Sequence, residues 1–242
     1  MAPTDLDWSG CSNARDLGGL PGSNGFMVRA RALVRADDLT RLDAAGRRSV
    51  DGYDPALILD LRFGFELEDE PHPYTGHAAY RHLPFLPQSV VDDADEEAAR
   101  QHPLEWTYGN LLDASPATVA AGVRAVVEAP PGPVVVHCVS GKDRTGLLVA
   151  LLLDLVGVDR ALIGADYAAS ERRLGVEEML ASMSPDERAA AERFWRTPES
   201  AVIGALEHVD RTYGGTRGYL RSAGLSDTEL DLLADRLVQP PT

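Results

Sequence analysis

The ten residues from His137 to Gly146, which read HCVSGKDRTG, place a thiol, two cations, a carboxylate and two hydroxyls close together. Cys138 and Arg144 stand in the pattern Cys-x5-Arg, with a serine and a glycine between them. Such a stretch can curl so that successive backbone N–H groups point at one anion, and a guanidinium matches two oxygens of a phosphate. We therefore predict a phosphate-binding loop with a nucleophilic sulfur at its base.

The chemistry that these residue types allow is hydrolysis of a phosphate ester in two steps. The Cys138 thiolate would attack phosphorus and form a cysteinyl-phosphate, which water would then hydrolyse. Thr145 would stabilise the sulfur as the leaving group of the second step, and His137 would orient the loop. The phosphate oxygens would be held by Arg144 and by the loop residues His137, Val139, Ser140, Gly141 and Lys142. Because arginine and amides can replace a metal ion, we expect neither a metal site nor a cofactor.

Other phosphate-binding loops do not fit these residues. A Walker loop needs glycine where this chain has Val136, and Ser or Thr where it has Asp143. A rhodanese-type loop is one residue shorter between its Cys and its Arg. One alternative function stays open, namely a catalytically silent phosphate-binding module, although the presence of both Cys138 and Thr145 argues against it.

The loop lies between two elements that must position it. Pro133–His137 predicts a buried strand, and Leu147–Val156 predicts an apolar helix whose positive N-terminal end would face the anion. Further strands are predicted within Phe26–Arg35, Ala56–Leu61 and Tyr80–Phe85, and helices within Leu39–Ser49, Ser115–Glu128 and residues 159–238. This order predicts an α/β fold, with a central, mostly parallel sheet flanked by helices and a helical C-terminal part, in a single domain over residues 1–242.

Charge and composition restrict the partners. The chain has 38 Asp and Glu against 23 Lys and Arg, a formal net charge of −15, so its overall field does not attract nucleic acid or anionic lipid. Positive charge for an anionic substrate must therefore be local, and the single lysine, Lys142, lies within the loop. The longest apolar run, Leu147–Leu153, is too short to span a bilayer. We expect no nucleic-acid partner and no stable membrane insertion, and the oligomeric state is left open.

The sequence resembles the bacterial tyrosine and dual-specificity phosphatases of the protein tyrosine phosphatase B type. The loop matches their HCxxGKDRTG pattern, and Asn13–Gly19 (NARDLGG) is similar to their NxRDLGG element. Further blocks that resemble the family are Leu33–Leu39, Asp60–Arg62 with Glu66, Asp166-Tyr167 and Tyr219–Leu225. The resemblance implies a cysteine-phosphatase fold that hydrolyses phosphotyrosine, and in some members phosphoserine, phosphothreonine or phosphoinositides. Phosphorylated proteins or phospholipids are the implied substrates. A cytoplasmic location is the default expectation, and export without a signal peptide is left open.

The resemblance also bears on roles that the residues alone leave open. For the general acid it favours Asp143, ahead of Asp60 at the end of a predicted strand and of Asp92 or Asp93 in an acidic stretch. Some family members have a helical lid, which would fall here within about residues 165–198. Arg15 and Asp16 would either support the loop, contact substrate, or form a buried ion pair that fixes the N-terminal turns. Cys11, just before them, is a candidate for a reversible disulfide with Cys138.

Overall fold

The computed structural model describes residues 3–85 and 104–240 of the chain. Its main sheet has the strand order β1-β2-β4-β7-β5-β6, in which β4, β7, β5 and β6 are parallel and β2 and β1 continue one edge in antiparallel fashion. The strands are β1 Thr4–Asp5, β2 Arg15–Asp16, β3 Met27–Val28, β4 Leu33–Ala36, β5 Leu57–Asp60, β6 Tyr80–His82, β7 Val134–His137 and β8 Val238–Gln239. β3 and β8 form a separate antiparallel pair.

Helices flank this sheet and make up most of the C-terminal half. They are α1 Ala44–Tyr53, α2 Gly64–Asp69, α3 Leu104–Ala114, α4 Pro116–Glu128, α5 Asp143–Leu155, α6 Arg160–Arg173, α7 Val176–Ala181, α8 Pro185–Trp195, α9 Glu199–Tyr213, α10 Thr216–Ser222 and α11 Asp227–Leu237. The predicted α/β class, with a mostly parallel sheet and a helical C-terminal part, is confirmed. No helix in the described ranges is both long enough and apolar enough to cross a membrane.

The three central strands bring the functional loop to one edge of the sheet. β4, β5 and β7 are buried along their whole length, as expected for parallel strands covered on both faces. In register, Ala36 and Asp60 both lie beside His137, the last residue of β7. Because parallel strands end at the same edge, the residues that follow β4, β5 and β7 meet there, which is where α/β folds hold their ligands.

The helix after the loop begins earlier than its apolar residues indicate. α5 begins at Asp143, whereas its buried leucine run begins at Leu147. The first turn is polar because it faces the loop rather than the core, so hydrophobic periodicity predicts only the later turns. Asp92 and Asp93, the third-ranked candidates for the general acid, lie outside the described residues.

Candidate active site

The loop Cys138–Lys142 connects β7 to α5 and places the cysteine at its base. The Cys138 side chain is almost buried, with 2% of the residue exposed. Gly141 has a φ of 62°, and a Cβ there would lie 2.3 Å from the Ala36 carbonyl oxygen, so this close approach to β4 requires glycine. The first turn of α5 presents backbone N–H groups without helical partners, which favours an anion at this position.

The carbonyl oxygens of the loop are bound from beneath. The Asn13 side-chain amide donates to the Ser140 oxygen at 3.0 Å, and Arg35 Nη2 donates to the Gly141 oxygen at 2.6 Å. Each peptide plane carries its N–H opposite its carbonyl oxygen. Holding the oxygens below therefore turns the N–H groups toward the concave face, where a phosphate would bind.

Below these contacts lies a buried ion cluster of Arg15, Arg35 and Asp166. Arg15 Nε lies 2.6 Å from Asp166 Oδ1, and Arg35 Nη1 lies 2.7 Å from Asp166 Oδ2. Burial opposes ionisation of Asp166, but the charges of Arg35 and Arg15 outweigh it and lower the pKa of this carboxyl group. Burial, followed by repulsion from Arg35, lowers the pKa of Arg15 to about 10. One carboxylate thus fixes the two arginines on which the loop rests.

The positions of Arg15 and Asp16 favour structural support over contact with substrate. Arg15 is fully buried and pairs with Asp166 rather than with Asp16, because neighbouring residues of a strand point to opposite faces. Asp16 accepts hydrogen bonds from the Gly18 and Arg31 amides, at 2.9 and 2.8 Å, and so fixes the N-terminal turns.

Removing the shared carboxylate is expected to destabilise the protein strongly. Asp166→Asn leaves two buried guanidiniums without their counter-charge, which should lower the free energy of unfolding by about 3–5 kcal/mol. Urea denaturation at pH 7 measures this change. The control is Asp231→Asn, which removes an exposed partner of Arg217 and should cost less than about 1 kcal/mol. Equal effects of the two substitutions would contradict the role given to the cluster.

Arg144 is held over the loop by Glu66 of α2. Its Nη1 and Nη2 lie 2.5 and 2.9 Å from the two carboxylate oxygens, and its guanidinium lies 4.5 Å from the centre of the Phe63 ring. Burial opposes ionisation of Glu66, but the hydrogen bonds from Arg144 and from the Phe63 amide lower its pKa. Sequence reasoning gave Glu66 no role and missed Phe63, because the capping box that marks a helix start needs Ser or Thr at the N-cap. In the structure Glu66 nonetheless accepts a hydrogen bond from the Phe63 amide at 2.6 Å.

Three further side chains of the motif, those of Lys142, Asp143 and Thr145, lie at the start of α5. Lys142, of which only 2% is exposed, donates to the Phe194 carbonyl oxygen at the end of α8 and lies over the Phe194 and Trp195 rings, at 4.8 and 5.8 Å from their centres. The Asp143 side chain is 38% exposed, and the buried Thr145 Oγ1 has no hydrogen-bond partner among the described residues. This arrangement provides a sulfur, a phosphate cradle, an accessible carboxyl group and a spare hydroxyl.

The family of the chain follows from comparison with known proteins. A model of the tyrosine phosphatase family matches residues 6–239. The chain belongs to this family. This phosphatase is 29% identical to the triple specificity protein phosphatase PtpB of Mycobacterium tuberculosis, over 92% of the chain and 95% of the relative. It is also 30% identical to a tyrosine-protein phosphatase of Nostoc commune, over 90% of the chain and 78% of the relative.

The geometry disfavours Asp60 as the general acid of this phosphatase. Its side chain is fully buried and accepts hydrogen bonds from the Arg62 amide and the Tyr80 hydroxyl, both at 3.0 Å. Burial opposes ionisation, but His137 and Arg62 outweigh it and lower the pKa of Asp60 to about 2. Asp60 is therefore ionised and directed into a structural network. His137 supports the loop from behind, with Nδ1 3.3 Å from the Cys138 carbonyl oxygen.

The donor atoms of Asp60, His72 and His137 lie within 4.8 Å of one another, close enough to raise the question of a metal ion. The hydrogen bonds that His72 and Asp60 already make disfavour one. His72 Nδ1 accepts a hydrogen bond from the Tyr74 amide, so in the neutral ring the proton is on Nε2, the atom that would have to bind the metal. The Asp60 carboxylate is already occupied by Arg62. The two histidines are better described as a buried stack, with 4.9 Å between the His72 and His137 ring centres.

The two cysteines are free thiols in different environments. Cys11 donates to Asp37 Oδ1 at 2.6 Å, and burial, followed by the charge of Asp37, raises the pKa of this thiol far above its ordinary value. A thiol that keeps its proton reacts slowly in disulfide exchange. This environment therefore disfavours Cys11 as a partner that protects Cys138 from oxidation.

Proposed function

We propose that this phosphatase hydrolyses phosphotyrosine monoesters through a cysteinyl-phosphate intermediate, with Cys138 as nucleophile and Asp143 as general acid. The observation that carries the proposal is the geometry of the loop and of the groups that hold it. Cys138 lies at its base, its carbonyl oxygens are bound from beneath, and Arg144 is clamped by Glu66. A site that only bound phosphate would need neither the buried sulfur nor an accessible carboxyl group beside it.

The two steps use the same few groups. In the first, the Cys138 sulfur bonds to phosphorus, the bond to the leaving oxygen breaks, and Asp143 gives that oxygen its proton. In the second, water attacks phosphorus, Asp143 accepts a proton from the water, and the sulfur leaves as a thiolate stabilised by Thr145. Arg144 and the loop amides hold the remaining oxygens throughout.

We further propose that the substrate range is wider than phosphotyrosine. The name of the M. tuberculosis relative states a triple specificity. Lys142 also adds a second cation to the loop, as an additional phosphate group on a phosphoinositide would require. Phosphoserine, phosphothreonine and phosphoinositide esters are therefore candidate substrates beside phosphotyrosine.

The direct test is turnover of p-nitrophenyl phosphate by the purified wild-type protein between pH 5 and 8, with EDTA present. Hydrolysis is expected without added metal. A protein that binds inorganic phosphate but releases no p-nitrophenol at any pH would be the silent binding module instead. A panel of phosphotyrosine and phosphoserine peptides and soluble phosphoinositides then ranks the substrates.

We propose that α7 and α8 form the helical lid over the site, since both lie within the expected range of about residues 165–198. α6 belongs to the packed body, since its Ile163, Tyr167 and Ser170 are buried and its Asp166 fixes the loop support. α8, by contrast, contacts the loop through Lys142, and its Phe194 is 63% exposed. Opening of α7 and α8 would free Lys142 for a large phosphorylated substrate.

Lys142→Arg is expected to lower kcat/KM by about fivefold, equivalent to about 1 kcal/mol. An ammonium group can donate to the Phe194 carbonyl and remain 3.4 Å from Asp143 Oδ1, whereas the planar guanidinium is larger and has a fixed donor geometry. kcat/KM is measured on p-nitrophenyl phosphate, a phosphotyrosine peptide and a phosphoinositide. Unchanged values on all three would show that the lysine has no special function.

A further inference from the structure

Asp143 is held by a buried tyrosine, which is in turn held by a second buried tyrosine, and the two come from two other helices. The Tyr108 hydroxyl, on α3, donates to Asp143 Oδ1, and it lies 2.7 Å from the Tyr167 hydroxyl, on α6. The two rings meet edge to face, with centres 6.2 Å apart and planes at 90°. Both tyrosines are almost completely buried, so solvent does not compete for these hydrogen bonds.

The direction of the hydrogen bonds follows from the proton count. A phenol carries one proton. Since Tyr108 donates its single O–H to Asp143 in a hydrogen bond, the Tyr167 hydroxyl must donate to the Tyr108 oxygen. Burial, followed by the charge of Asp143, raises the pKa of both phenols well above the ordinary value, so both stay protonated donors. The result is a chain that runs from Tyr167 through Tyr108 to one oxygen of Asp143.

This chain of hydrogen bonds leaves the two oxygens of Asp143 in different environments. Oδ1 accepts from Tyr108 and also lies 3.4 Å from Lys142 Nζ. Oδ2 has no contact of this kind among the described residues, and the side chain is partly exposed. An oxygen that already accepts a hydrogen bond is a poor place for the acidic proton, which therefore belongs on Oδ2.

Gly146, the last residue of the loop motif, packs closely against the same tyrosine pair. A Cβ at this position would lie 2.9 Å from Cδ2 and 3.0 Å from Cε2 of the Tyr167 ring. Any side chain would push the ring away from α5 and lengthen the contact with Tyr108. Close packing against Tyr167 therefore explains why this position of the motif is glycine, independently of phosphate binding.

We propose that Tyr108, backed by Tyr167, is the positioning residue for the general acid. It fixes Oδ1 as an acceptor, so that Oδ2 delivers its proton to the leaving oxygen in the first step and accepts a proton from water in the second. Tyr108 keeps its own proton throughout. The inference rests on the proposed function and adds to it which oxygen of Asp143 acts and what orients it.

The test measures how turnover depends on the leaving group. Phenyl phosphate needs protonation of its leaving oxygen, whereas 2,4-dinitrophenyl phosphate releases a stable anion. Tyr108→Phe is expected to lower kcat/KM about tenfold for phenyl phosphate and less than about twofold for the dinitrophenyl ester, as part of the ~10²–10⁴-fold that a general acid supplies. Asp143→Asn should show a larger difference between the two esters, and Tyr167→Phe a smaller one in the same direction.

The matched control is Tyr219→Phe, which removes another buried hydroxyl that donates to α3, at 2.8 Å from the Leu112 carbonyl oxygen. It should affect both esters equally. If Tyr108→Phe does the same while Asp143→Asn discriminates between the esters, the inference is overturned and the proposed function stands. If Tyr108→Phe does not fold, Tyr167→Phe decides alone, and an equal effect on both esters overturns the inference. A wild type that hydrolyses neither ester, or an Asp143→Asn variant that does not discriminate, contradicts the proposed function itself.

Discussion

Replacing Cys138 by serine is expected to lower kcat by on the order of 10⁴-fold or more, as is usual when a covalent nucleophile is removed. A serine hydroxyl is nucleophilic only when a base removes its proton, and Asp143, the carboxyl group beside the loop, must enter the first step protonated as the general acid. His137 lies behind the loop, where its Nδ1 faces the Cys138 carbonyl oxygen. Burial is the main cause that lowers the pKa of this imidazole.

The measurement is p-nitrophenyl phosphate turnover together with binding of inorganic phosphate by calorimetry. Because Arg144 and the loop amides are unchanged, Cys138→Ser should bind phosphate about as tightly as wild type. Cys11→Ser is the matched control. The serine hydroxyl can still donate to Asp37, and the Cys11 thiol has no part in the proposed chemistry. A Cys138→Ser variant that keeps wild-type turnover would remove the cysteinyl-phosphate mechanism.

The second large effect is expected at Arg144. Arg144→Lys should lower kcat by about 10²–10³-fold, the range seen when one donor to a developing oxyanion is removed. A lysine keeps the charge but not the planar pair of donors, and it cannot satisfy both Glu66 oxygens, now 2.5 and 2.9 Å from the guanidinium nitrogens. The loss should therefore arise from geometry rather than from charge.

Two comparisons separate these causes. Arg217→Lys, at an exposed pair with Asp227, controls for the substitution itself and should leave kcat unchanged. Glu66→Gln keeps the fork of donors but weakens the clamp, so it should lower kcat by less than Arg144→Lys. If Arg144→Lys retains wild-type kcat, charge alone holds the phosphate and the clamp has no catalytic value.

The parts of this site that the sequence predicts are local in the chain. The strand, the loop and the apolar helix around Cys138 follow one another within Pro133–Val156, so residue type and spacing identify them together. The α/β class follows for the same reason, because the strands and helices alternate. Such patterns depend on the chain's own periodicity and not on what it packs against.

The groups that support the loop come from distant positions, and residue type and spacing alone gave no role to two of them, Glu66 and Tyr108. Glu66 lies 78 residues from Arg144, and Tyr108 lies 35 residues from Asp143. Nothing about the type or spacing of Tyr108 sets it apart from the other six tyrosines of the chain. The two-residue strands β1 and β2 were likewise missed within a turn-rich stretch, since pairing at the sheet edge rather than hydrophobic pattern defines them.

The contacts beneath the loop also have a consequence for how the chain becomes active. Asn13 reaches Ser140 across 127 positions, and Arg15 reaches Asp166 across 151. Closing such long segments carries an entropic cost, so these contacts are expected to form after the local ones. The phosphate cradle is therefore expected to be completed late in folding. A nascent or partly unfolded chain would carry the reactive cysteine without the frame that directs it, so catalytic competence and the global native state are gained and lost together.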